Sequence, residues 1–264
     1  MIIMCENLKN TNQWRDAFTL AEVLITLGVI GVVAAMTLPT LIHNYQVKQW
    51  ETLIKQDYTL ISSGFQKIVA DYGVTTLDET GIFNQNGTTD PEFNENMANV
   101  LKKVFNNAKI YKVGEYPYEH IVSVLYGNRP SNSLTTANNL IMELPNGSLV
   151  FLRNSGCVAP ANPIPTYKLT CAGILVDING TKAPNSWGKD VFNFGRITER
   201  GKIIPDTSAD WAEATNNTRE YWKNNPEQCG HAGVKLKDET LYYIGGSNCL
   251  ARIMENNWEM DYLK

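Results

Sequence analysis

An ionisable side chain inside an apolar run is the first residue of this chain whose type and position demand a chemical partner. Glu22 is the one such group in FTLAEVLITLGVIGVVAAMTLPTLI, Phe18 to Ile42. An unpaired carboxylate at membrane depth costs at least about 2.5 kcal/mol, so it has to be neutralised. Cutting the chain before Phe18 would create a cationic α-amine one helical turn away, and the helix N-terminal dipole favours a negative charge there. Within one chain that amine and carboxylate meet only awkwardly. Between neighbouring chains staggered along their axes, the amine of one neutralises the carboxylate of the next.

Other chemistry-bearing residues are sparse. In VDINGTKAPNSWGKDVFNF, Val176 to Phe194, the side chains of Asp177, Asn179 and Asp190 offer the hard oxygen ligands that calcium prefers, on a glycine-containing loop. The spacing fails the EF-hand rule, since no Glu occupies the twelfth place, and the favoured reading is a strand entering a turn, with Asp177 and Asn179 bonding the local backbone. His43, His120 and His231 have no spacing that makes a metal site or a catalytic triad. No GxSxG, HExxH, Walker A or dinucleotide fingerprint occurs, so the sequence supports no enzyme, no catalytic residue and no cofactor beyond the calcium candidate.

These residues need elements to position them. Of the 264 residues, 43% are hydrophobic and 19% charged, which is a packing composition rather than a disordered one. A net charge of -4 removes the broad basic surface of a non-specific nucleic-acid binder. A helix needs about 20 apolar residues to cross a bilayer, and Val23 to Ile42 meets that length. The preceding segment, residues 1–17, is polar, and the small residue Ala17 stands before the apolar run instead of after it. That order is the reverse of a cleaved secretory signal, and the run is too long for its hydrophobic core.

Small residue, Phe18, Thr19, Leu20, Glu22, then about 20 apolar residues containing Gly31 and Pro39, resembles the N-terminus of type IV pilins and type II secretion pseudopilins. The resemblance implies a leader, 1–17, removed by a prepilin peptidase between Ala17 and Phe18, N-methylation of Phe18, and Glu22 as the residue that sets subunit register. Pro39 matches the place where helices of the family bend or melt locally, in keeping with its missing N–H. Ala17 stands where the family usually has Gly, and Asp16 where a basic residue is common. The DxNGxxxPNxxGxDxF string and the segment from Cys249 to Tyr262 resemble head sequences of prepilin-type proteins from anaerobic and gut bacteria.

Beyond the bilayer, Trp50, Ile54, Tyr58, Ile61, Phe65, Ile68 and Tyr72 recur at steps of three and four, which predicts an amphipathic helix stopping at Gly73. Residues 18–72 as one helix would span roughly 80 Å, with a transmembrane half at 18–42. The remainder, 73–264, reads as one α+β head. It has a turn-rich stretch from Asp78 to Asn96, a short helix within Pro91 to Ala108 and a strand at Ile121 to Tyr126. A hairpin follows in NLIMELPNGSLVFLR around Pro145, Asn146 and Gly147, with further strands at Gly173 to Ile178, Val191 to Ile197 and Lys202 to Ile204. Helices are expected at Ser208 to Lys223 and Asn248 to Asp261. The fold class is thus a long N-terminal helix packed on an antiparallel-sheet head, pilin-like in arrangement.

Cys5 would leave with the leader, and four cysteines remain, Cys157, Cys171, Cys229 and Cys249. An even number in an exported segment suggests two disulfides, for which three pairings are open. Short loops close most easily, which favours Cys157 with Cys171 and Cys229 with Cys249. No CxxC knuckle supports zinc.

The expected function is a structural subunit, minor or specialised, of a type IV pilus or a type II secretion pseudopilus. Its partners would be other pilin or pseudopilin subunits, the prepilin peptidase, an inner-membrane assembly platform and membrane lipid. Its location would be a single-pass membrane protein with an extracytoplasmic head, extracellular or periplasmic once in the filament. The alternative is a membrane-anchored extracellular binding module, for adhesion or DNA uptake, without a filament role.

Overall fold

The computed structural model describes residues 18–83, 91–111, 115, 125–126, 129–130, 139–159, 168–182, 185–205, 234–235, 241–242 and 249–263. The leader with Cys5 and Ala17, the expected helix at Ser208 to Lys223, the first residues of the expected strand from Ile121, and Cys229, His120 and His231 lie outside the described residues. Two compact units emerge, Met1–Tyr45 and Gln46–Lys264. The division falls inside helix α1 (Leu20–Tyr72), so its amphipathic half belongs to the head unit.

In the first unit α1 begins at Leu20, and its helical residues continue through Pro39 without a break. The helix is long and apolar enough to cross a membrane, and its apolar stretch is not buried within the protein.

In the second unit the helix buries the expected stripe. Trp50, Ile54, Ile61, Phe65 and Ile68 are enclosed, joined by Val47, whereas Tyr72, the last of the series, is exposed. The helix stops where Gly73 adopts φ 65°, a left-handed conformation that costs glycine nothing, with Val74 N–H donating back to Val69 O at 3.3 Å. A 3-10 turn at Asp78–Thr80 follows, then α2 (Pro91–Val104), which starts within the stretch expected to be turn-rich. Proline at its first position needs no N–H there. The Phe105 ring lies over Gly64 of α1, where any Cβ would overlap it.

Among the described residues six antiparallel strands form the main sheet, in the order β1-β4-β5-β6-β7-β8. They are β1 (Lys109–Tyr111), β4 (Asn139–Glu143), β5 (Leu149–Val158), β6 (Thr170–Asp177), β7 (Val191–Thr198) and β8 (Ile203–Ile204). Two short pairs lie apart from it, β2 (Leu125–Tyr126) with β3 (Arg129–Pro130) and β9 (Val234–Lys235) with β10 (Leu241–Tyr242). The β4–β5 hairpin turns where Gly147 takes φ 91° and Leu144 N–H reaches Ser148 O at 2.8 Å. Its strands read as continuous apolar runs because both sheet faces are covered. Leu140, Met142, Val150, Leu152, Ile174, Val176, Phe192 and Phe194 join the α1 core, while Ile141, Leu149, Phe151 and Val191 form a second cluster with Leu175 and Trp187.

Gly201, at φ 76° in the β7–β8 turn, places its backbone so close to α1 that a Cβ would sit 2.6 Å from Gln66 N and 2.7 Å from Phe65 C. That close approach seats the sheet on the helix. β6 starts earlier than expected, at Thr170, where Thr170 pairs with both Val158 and Thr198. The C-terminal helix is shorter than the expected Asn248 to Asp261. α3 spans Cys249–Glu255, because Asn257 (φ 54°) and Trp258 (φ 68°) turn the chain left-handed, and Trp258 N–H closes the end on Ile253 O at 2.7 Å. The chain then returns to α1, where buried Met260 donates its N–H to Glu51 Oε1 at 2.8 Å.

Candidate functional site

The start of α1 is a reciprocal cap. The Glu22 carboxylate accepts both the Thr19 N–H (2.8 Å) and the Thr19 hydroxyl (2.9 Å), while the Glu22 N–H donates to Thr19 Oγ1 at 3.2 Å. This is the Ser/Thr-x-x-Glu capping box, which satisfies two backbone donors that the first turn otherwise leaves orphaned. Phe18 is 85% exposed immediately before it, and Ala17 lies outside the described residues. Glu22 is therefore held at the helix start, one turn from Phe18, with its oxygens turned back toward the preceding backbone.

From Leu20 to Ile42 the large apolar side chains are exposed around the helix. Two hydroxyls in this stretch are satisfied internally, Thr26 Oγ1 donating to Val23 O at 3.0 Å and Thr37 Oγ1 to Val33 O at 3.0 Å. Nothing approaches the positions where Cβ atoms would stand on Gly28 or Gly31. Such a surface is stable against lipid or against other helices, and small residues let helix backbones approach closely.

The structure brings Asp177, Asn179 and Asp190 together between β6 and β7. Asp190 Oδ1 accepts the Ser186 N–H at 2.6 Å, and its Oδ2 accepts the Asn185 N–H at 2.8 Å and the Asn179 side-chain amide at 3.0 Å. Asp177 Oδ1 accepts the Asn179 N–H at 3.3 Å. Both acids are buried. Burial, reinforced by the neighbouring Asp190 charge, holds the Asp177 carboxyl well above the usual range despite the N–H groups of Asn179 and Gly180. Burial also raises Asp190, against the pull of the donors from Ser186, Asn185 and Asn179. Asp190 thus fastens the loop by accepting its backbone N–H groups, and the Asp177 carboxyl, pushed upward by burial, sits beside it. Among the described residues no group of three or more His, Cys, Asp and Glu is placed to hold a metal ion. The loop is braced from the C-terminal segment, where Tyr262 donates its hydroxyl to Gly188 O at 2.8 Å.

Cys157 and Cys171 are disulfide-bonded, joining β5 to β6 beside the irregular register between Asn154 and Val158. Cys249 is buried at the start of α3, while its expected partner Cys229 lies outside the described residues. His43 falls on the exposed part of α1.

No protein-family model, no curated protein and no solved structure matches this chain. The functional argument therefore stands on its residues.

Two features that the sequence reading missed left a signal in the sequence. The capping role of Glu22 was available in the Thr19-x-x-Glu22 spacing. Asp57 was available as an acid on the apolar stripe, three residues after Ile54 and four before Ile61, and it is fully buried. Its partner, Asn146, is distant in sequence, donating Nδ2–H to Asp57 Oδ1 at 2.7 Å.

Proposed function

We propose that this protein is a structural subunit, of minor or specialised type, of a type IV pilus or type II secretion pseudopilus. A prepilin peptidase removes residues 1–17, Phe18 is methylated, and an inner-membrane assembly platform extrudes the subunit into a filament. The observation that carries this reading is Glu22 at the head of an exposed apolar helix, one turn from Phe18. A carboxylate there finds a charge partner in the new amine of an adjacent, axially staggered subunit, and the apolar helices bury one another in the filament core. Contacts of this head-to-tail kind do not close on themselves, so they propagate as a helical array. Until assembly the capping box keeps Glu22 satisfied within its own chain, and the apolar run holds the subunit in the bilayer with the disulfide-bonded head outside the cytoplasm.

The test is Glu22→Ala expressed in the native host. The variant is expected to stay in the membrane fraction but to be missing from filaments sheared off cells that overproduce the protein. Incorporation at the level of the unaltered chain contradicts the mechanism.

A further inference from the structure

Nothing in filament assembly uses Asp57. Its carboxylate is fully enclosed on the α1 stripe, one oxygen bonded to Asn146 at the exposed tip of the β4–β5 turn, the other without a hydrogen-bond partner among the described residues. A buried carboxylate satisfied by one donor tolerates a proton far better than a charge. Among the described residues the elements around it supply no cation. On α1, Lys55 is exposed, Glu51 is engaged by Lys48 and by the Met260 N–H, and Tyr58 donates to Ile203 O. From the hairpin come Asn146 and Ser148, and the Ser148 hydroxyl donates to Ile178 O at 3.0 Å. From the β6–β7 loop, the Asp190 charge acts on Asp177. The same loop fixes the turn from behind, since a Cβ on Gly180 would overlap Gly147 O.

We propose that Asp57 and Asn146 form a proton-operated latch seating the β4–β5 turn on α1, closed when the Asp57 carboxyl is protonated and opening to admit water when it ionises. Burial pushes that carboxyl up to about 6, only partly offset by the hydrogen bond of Asn146, so the latch works between mildly acidic and neutral surroundings. It is a property of the head alone and holds whether or not the protein forms filaments.

Amide hydrogen exchange on the full chain in detergent micelles reads the latch at Gly147 and Ser148, whose N–H groups bond Leu144 O (2.9 Å) and Asn146 Oδ1 (3.1 Å). Once corrected for the intrinsic pH dependence of exchange, their protection relative to the β5 core amides should fall by about tenfold or more between about pH 5 and about pH 7.5. Asp57→Asn should abolish the fall. Equal protection at both pH values, or the same fall in Asp57→Asn, overturns the proposal. Asn146→Ala, at an exposed position, breaks the latch and also removes the acceptor of the Ser148 N–H, so Gly147 alone reads it, and its protection should already be low at about pH 5 and change little by about pH 7.5. A fall at Gly147 as large as in the parent overturns the proposal even if Asp57→Asn fails to fold.

Discussion

Thr19 and Glu22 hold each other at the first turn of α1, the Glu22 carboxylate accepting the Thr19 N–H at 2.8 Å and the Glu22 N–H donating to the Thr19 hydroxyl at 3.2 Å. Under the proposed function the pair would give Glu22 two successive partners, its own helix start before assembly and a neighbour's amine within a filament. The two roles separate by mutation. Thr19→Ala removes the cap and leaves the carboxylate, so it is expected to raise amide exchange in the first turn of α1 in micelles while incorporation into sheared filaments persists. Filament loss in Thr19→Ala equal to that in Glu22→Ala would mean that the cap, and not the charge pairing, is what assembly needs.

The head should respond to pH in a defined direction. Asp57 is raised in the folded protein from 3.8 to about 6, so the folded state holds its proton over a range where the unfolded chain has lost it. Stability is therefore greatest below about pH 4 as far as this group is concerned, and is lost as pH rises through about 6, by about 3 kcal/mol in total. Asp177 and Asp190 are raised too and act in the same direction. Denaturant unfolding of the head across this range should show a downward slope that Asp57→Asn reduces; a slope the variant leaves untouched would remove Asp57 as a cause.

Gly201→Ala should destabilise the head by about 1–3 kcal/mol, because an added methyl meets the α1 backbone at Phe65 and Gln66 and the φ of 76° is strained for any other residue. A thermal melt reads the loss. A variant as stable as the parent would show that the β7–β8 turn does not seat the sheet on the helix.

Reduction of the Cys157–Cys171 bond should lower the melting temperature of the head. The residues are 14 apart in sequence, and a loop of that size is worth about 3 kcal/mol when closed. Cys157→Ser with Cys171→Ser should reproduce the loss, and unchanged unfolding in that double variant would count against a stabilising role for this bond.

The parts of the fold that were legible are those written in local pattern. The three-and-four spacing from Trp50 to Ile68, the glycine stop at Gly73 and the Pro145-Asn146-Gly147 turn each predict an element from neighbouring residues, and each is present. Distant partners decide the rest. An aspartate at position 57 reads as a break in an apolar stripe until Asn146, 89 residues later, arrives to bond it. The C-terminal helix ends early because Asn257 and Trp258 adopt left-handed backbone, which spacing does not announce for a tryptophan. Asp177, Asn179 and Asp190 were legible as a set, but their bonds to the backbone of Asn179, Asn185 and Ser186 depend on how the loop folds over them.

Mass spectrometry of the intact protein recovered from its host membrane tests the central claim most directly. The account predicts a chain that begins at Phe18 and carries one added methyl group. A chain that still carries Met1 to Ala17 would leave Glu22 with no neighbouring amine to neutralise it, and would contradict the account.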